Sequence, residues 1–168
     1  YLQGKSKSGI PIYSPGKAME KMLSRTNVKL VVVAIKPGNL GNPEALHWAI
    51  EHIDGLLKAE GIDLYRQDFN TDPLNQWRAA DAPDRQGISE IRHIEGYLAY
   101  SDALLKRNPA MFLDTCASGG RRLDLETLRR AIPLWRTDFR CDPTGTQCHS
   151  FGLSLWVPFS GTGANDID

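Results

Sequence analysis

Five residues able to do chemistry, Asp68, Asn70, Asp114, Cys116 and Asp138, all fall at or just past the C-terminal ends of segments that read as separate β-strands. Carboxylates on different strand tips can divide a reaction between them, one attacking and one moving a proton. That arrangement needs strands that run parallel and end on one side of the molecule. Cys141, Cys148 and His149 are the other candidate cluster, but their C-x6-C-H spacing matches none of the usual zinc patterns. No metal site is therefore expected, and three unevenly placed cysteines make no disulfide framework.

The elements that must carry these residues alternate. "VKLVVVAI", Val28 to Ile35, is a β-branched run of the kind buried on both faces of a parallel sheet. "PEALHWAIEHIDGLLKAEG" has Pro43 at the first helical position, Ala45, Trp48, Ala49, Ile53, Leu56 and Leu57 at helical spacing toward a core, and Gly61 as a stop. Ile62 to Asp68 is a strand, and 70–86 a polar loop. "ISEIRHIEGYLAYSDALLKRNP" is a long helix with Ile91, Ile94, Leu98, Leu104 and Leu105 on its apolar side, and Arg92 with His93 in a solvated or inter-helix polar cluster. "AMFLDTC" is a strand, "ASGGRR" a glycine turn, "DLETLRRA" a short helix capped by Asp124, and "IPLWRTDF" a further strand. "HSFGLSLWVPF" is expected to hold at least one more. Residues 1–39 are predicted to be mostly loop, with a short helix over 16–24 and the single strand at Val28.

This alternation predicts an α/β fold with right-handed crossovers, either doubly wound or closed as a barrel. Polar residues at successive strand ends favour the barrel. No G-x-G-x-x-G or Walker phosphate loop follows the first strand, which leaves a nucleotide-binding domain without a motif. Lys plus Arg and Asp plus Glu both total 20, so no net field draws the chain to nucleic acid or an anionic membrane. No apolar run approaches the roughly 20 residues needed to span a bilayer. The chain opens on Tyr1 and has no signal-peptide pattern; it reads as a segment of something longer, of unknown compartment.

"YRQDFN", "CASGGRRLD", "LWRTDF" and "GLSLWVPFSGTGA", in this order, resemble the catalytic barrel of the α-galactosidases of glycoside hydrolase family 36, the melibiase group. The likeness covers about Leu40 to Ala164, including "LGNPEA", and implies that residues 40–168 are the central and C-terminal part of a (β/α)8 TIM-barrel, present as an incomplete barrel fragment. It implies a retaining hydrolase acting on α-galactoside oligosaccharides without a cofactor, in a protein that is often an oligomer. Retention requires two carboxyl groups about 5 to 5.5 Å apart across the anomeric carbon. The resemblance assigns Asp68 as nucleophile, in a motif of the form K-W-D-M-N, and Asp138 as acid/base, in W-x-S-D; Asp114 is left as mainly structural.

Here Arg66 replaces the family lysine and Gln67 the tryptophan. Arg66 would keep a positive charge near Asp68 and hold it ionised, and its forked donors suit sugar hydroxyls or a neighbouring carboxylate. Asp138 must be protonated while the bond breaks, which partial burial beside Trp135 and Phe139 would favour. Asn70, Cys116 and Gly119 match sugar-binding positions of the family. Trp77 has two readings, stacking on a sugar face or packing, and Trp48 is expected in the core. A noncatalytic sugar-binding relative is the alternative, favoured if the two aspartates were tied up with arginines.

Overall fold

The computed structural model describes residues 39–69, 72–116, 121–135, 138 and 142–157, together with the backbone of 2–5, 11–13 and 30–33. The predicted helix over 16–24, and Asn70 and Gly119, lie outside the described residues. Five strands are described: β1 (Leu2–Lys5), β2 (Pro11–Tyr13), β3 (Leu30–Val33), β4 (Leu64–Asp68) and β5 (Phe112–Cys116). Among the described residues, segment 1–39 thus carries three strands rather than the one expected, β1 and β2 forming an antiparallel pair. The strands β3, β4 and β5 form a parallel sheet in that order.

Between the parallel strands run α1 (Pro43–Glu60) and, after a short α2 (Leu74–Ala80), the long α3 (Ile88–Arg107). The start of α1 follows from its first residues: the Asn42 side chain accepts from the Glu44 N–H at 2.8 Å and the Ala45 N–H at 3.4 Å, ahead of Pro43. It ends because Gly61 adopts φ 63°, a left-handed conformation that costs glycine little. Its buried stripe is Ala49, Ile53, Asp54 and Leu57. Trp48 is not in the core: it lies one residue, about 100° of helical rotation, off that stripe. It is 56% exposed and stacks on His52, ring centroids 4.8 Å apart.

The helix α3 corrects a second expectation. Ile91 and Ile94 face outward, and the stripe on the sheet is His93, Gly96, Tyr97, Tyr100, Ser101 and Leu104. Tyrosines serve here because their hydroxyls are partnered inside the layer. Tyr100 bonds to Tyr65 at 2.8 Å and Tyr97 to Thr115 at 2.9 Å. Gly96 lets the Leu40 backbone lie against the helix; a Cβ there would sit 2.0 Å from the Leu40 carbonyl oxygen.

Three loop and strand expectations also change. The polar segment after β4 contains α2, and Asp81 behind it accepts from the Gly87 and Ser89 N–H groups, capping α3. The first part of "HSFGLSLWVPF", residues 149–154, is helical, the end of α5 (Pro143–Ser154), because Asp142 caps that helix and Pro143 starts it, while 158 and 159 lie outside the described residues. The strand expected at "IPLWRTDF" is reduced, among the described residues, to one parallel bridge between Ile132 and Asp114. Pro133 has no N–H to give, and the Leu134 N–H goes to the Asp114 side chain rather than to the β5 backbone. The expected short helix is present as α4 (Leu125–Leu128), capped by Asp124.

Candidate active site

Register decides which side chains share a face. Arg66 lies beside Asp114 and Asp68 beside Cys116 across the parallel β4–β5 pair. Alternation then places these four, with Leu64 and Phe112, on the side opposite Tyr65, Thr115 and α3. Phe112 on that side is 60% exposed, so this face is open where the strands begin.

At its centre Arg66 is paired with Asp114, a carboxylate only 2% exposed. The other Asp114 oxygen accepts from Leu134 N–H at 3.0 Å. Burial pushes the Asp114 carboxyl above its ordinary range, against the pull of Arg66 and the Leu134 N–H. Burial also opposes the Arg66 charge, but Asp114 outweighs it and holds the guanidinium protonated, with smaller help from Cys116 and Asp68. Arg66 was expected to act on Asp68; its main partner is Asp114.

Asp68 ends β4 half-buried, and its Oδ1 is buried with no hydrogen-bond partner among the described residues. Cys116 ends β5, buried, and its carbonyl accepts from the Phe69 N–H at 3.4 Å. Asp138 is exposed rather than partly buried, and its Oδ1 accepts the Trp135 indole N–H at 2.6 Å. Trp135 therefore meets Asp138 as a donor, not as an apolar cover.

On the helix side of the same strand ends lies a group that sequence reasoning missed. The Arg122 guanidinium sits 4.1 Å from the Tyr97 ring centroid and 5.9 Å from that of Phe69, while its Nε is buried without a hydrogen-bond partner among the described residues. Gln67, fully buried, leaves both amide atoms unpartnered there as well. His93 is buried, accepts the Leu40 N–H on Nδ1 at 3.2 Å, and is pushed toward neutrality by burial and by Arg122. Trp77 is half-buried on α2, its ring centroid 5.2 Å from that of His93. The signal for Arg122 was present in "GGRR", but nothing in spacing distinguishes a stacked arginine from a solvated one. No group of three or more metal-binding side chains occurs among the described residues, and none of their helices is long and apolar enough to cross a membrane.

The Melibiase family profile matches residues 19–166, so β3 falls inside a match that begins earlier than the motifs suggested. An α-galactosidase of Escherichia coli is 31% identical over 104 residues, 60% of this chain and 13% of its own length. α-Galactosidase AgaA of Geobacillus stearothermophilus is 27% identical over 118 residues, 70% of this chain and 16% of its own length. Among solved structures, the GH36 AgaA enzyme in complex with stachyose superimposes with a TM-score of 0.61 at 23% identity, over 75% of this chain and 17% of that one. An α-galactosidase from Lactobacillus brevis gives 0.61 at 24% identity, over 69% and 16%. The chain thus spans only 13–16% of the length of these curated relatives.

Proposed function

The chain belongs to the Melibiase family, and from that premise we propose that it forms part of the (β/α)8 barrel of a retaining α-galactosidase acting on oligosaccharides such as stachyose. The observation that carries this reading is Asp68: a carboxylate at the end of a parallel strand, with one buried oxygen left without a partner among the described residues. Arg66, the cation that could have neutralised it, is engaged by Asp114. That favours catalysis over the noncatalytic sugar-binding alternative.

In the proposed reaction an Asp68 oxygen attacks the anomeric carbon of the galactose unit. The bond to the leaving oxygen breaks, its electron pair stays on that oxygen, and protonated Asp138 delivers the proton. Asp138, now a carboxylate, takes a proton from water, whose oxygen displaces Asp68 from the sugar and regenerates both groups. Two inversions give net retention, and the two carboxyl groups and water suffice. Trp135 fixes the direction of the Asp138 carboxyl through its indole N–H. Arg66, Asn70, Cys116, Gly119 and Trp77 are assigned to the sugar, Trp77 with one side already against His93.

Closing a barrel of eight strands takes about 250 residues. The open face at Phe112 is then a barrel interior awaiting further strands. The isolated 168 residues are accordingly expected to be poorly stable or inactive; a cooperative melt with full turnover from them alone would overturn that expectation. The function itself is tested on the polypeptide that carries this chain, by following an aryl α-galactoside in an NMR tube. The reading requires galactose to appear first as its α anomer. First appearance of the β anomer, or no hydrolysis by folded protein, would overturn it.

A further inference from the structure

We infer that Asp114 is a positioning residue that ties the end of β4 bearing Asp68 to the segment bearing Asp138 and keeps Arg66 from occupying the nucleophile; the inference rests on the catalytic reading above. Asp114 stands on β5, between the two segments concerned. One oxygen takes the Arg66 guanidinium, two residues before Asp68 and on the same face of β4. The other takes the Leu134 N–H at 3.0 Å, and the next residue, Trp135, holds Asp138 by its indole N–H at 2.6 Å. A continuous set of bonds therefore runs from β4 through one buried carboxylate to the segment that presents the candidate acid.

The charge arrangement gives the second half of the inference. The anionic or ionisable groups acting on the Arg66 guanidinium are, in falling order, Asp114, Cys116 and Asp68. Those acting on Asp114 are Arg66 and Asp68, with the Leu134 N–H as a neutral donor. Arg66 is largely buried, its side chain 18% exposed, so it cannot shed its partner for water at little cost. Without the Asp114 charge the guanidinium turns to the other carboxylate on its own face among the described residues, Asp68. An ion-paired Asp68 is a weaker nucleophile and stays ionised to lower pH.

The test is Asp114→Asn, which keeps an acceptor for Leu134 but removes the charge, made in the polypeptide that carries this chain and assayed on an aryl α-galactoside across pH. Misplacement and capture of the nucleophile together are expected to lower kcat about 10- to 100-fold, with KM changed less. The acid limb of kcat/KM should move to lower pH, a change that simple loss of packing does not produce. The double variant Arg66→Gln/Asp114→Asn removes the cation as well; it should return the acid limb toward its original position, and it stays informative if the single variant folds poorly. An unmoved acid limb with unchanged kcat per folded molecule, or a double variant whose acid limb stays displaced, overturns the inference. Asp68→Asn and Asp138→Asn are run beside them: full activity in these controls would sink the catalytic reading itself rather than the role of Asp114.

Discussion

Two polar clusters sit at opposite ends of the same sheet, built from similar residues and treated in opposite ways. Where the strands begin, Asp54 on α1 is 6% exposed, yet both its oxygens are occupied. Oδ2 accepts from Lys58 at 2.8 Å and Arg107 at 3.2 Å, Oδ1 from Asn108 at 2.9 Å, and Arg107 also reaches Glu51 at 2.6 Å. Where the strands finish, atoms of Gln67, Asp68 and Arg122 are buried and unpartnered among the described residues. A buried polar atom left unbonded costs about 1–3 kcal/mol, so the second cluster is not there to stabilise the fold. The first ties α1 to α3; at the other end the unpartnered atoms fall on both faces, Gln67 and Arg122 on the helix side and Asp68 on the opposite one.

The largest effect that would break this contrast is catalytic. Asp68→Asn should lower kcat on the order of 1,000-fold or more, by comparison with removal of other covalent-catalysis groups. Its melting temperature should stay level or rise, because the charge of a carboxylate with one buried, unpartnered oxygen is replaced by a neutral amide. At the other end, Asp54→Ala should cost about 2 kcal/mol in a denaturant titration, from lost bonds to charged donors, and leave kcat of the folded fraction unchanged. Gln67→Met keeps the volume and deletes two unpaired amide atoms, so a gain of about 1 kcal/mol is expected. A loss there would mean that the amide is bonded after all.

The smallest expected effect is on pH. Burial works against the Asp54 charge, but Lys58, Asn108 and Arg107 outweigh it and hold the carboxyl below its ordinary 3.8. In the window between the lowered folded value and 3.8 the unfolded chain binds more protons, so stability rises with pH there. The contribution is fully present above 3.8 and is lost as pH falls through the folded value. Asp54→Asn should flatten that part of an acid-unfolding curve, while Gln67→Met should leave its shape alone.

How far the molecule could be read from its residues follows the same division. Local signals were legible: Pro43 and Gly61 bound α1, Asp124 caps α4, and β4 and β5 end at the residues singled out. What periodicity misread were surfaces decided by tertiary pairing. Ile91 and Ile94 looked like core, yet the tyrosines of α3 were chosen because Tyr65 and Thr115 offered their hydroxyls partners across the layer. A strand was expected within "HSFGLSLWVPF", but residues 149–154 continue the helix that Asp142 caps and Pro143 starts. In the site, the strand-end carboxylates were visible as residue types, whereas the choice of Asp114 over Asp68 by Arg66 depends on register between strands distant in sequence.

The claim that Asp68 is a nucleophile is tested most directly by trapping the covalent intermediate. The polypeptide that carries this chain would be treated with 5-fluoro-α-galactosyl fluoride, digested and analysed by mass spectrometry. The account predicts stoichiometric loss of activity with one fluorogalactosyl group on Asp68. A label on Asp114 or on another carboxylate, with Asp68 unmodified in inactivated protein, would contradict it.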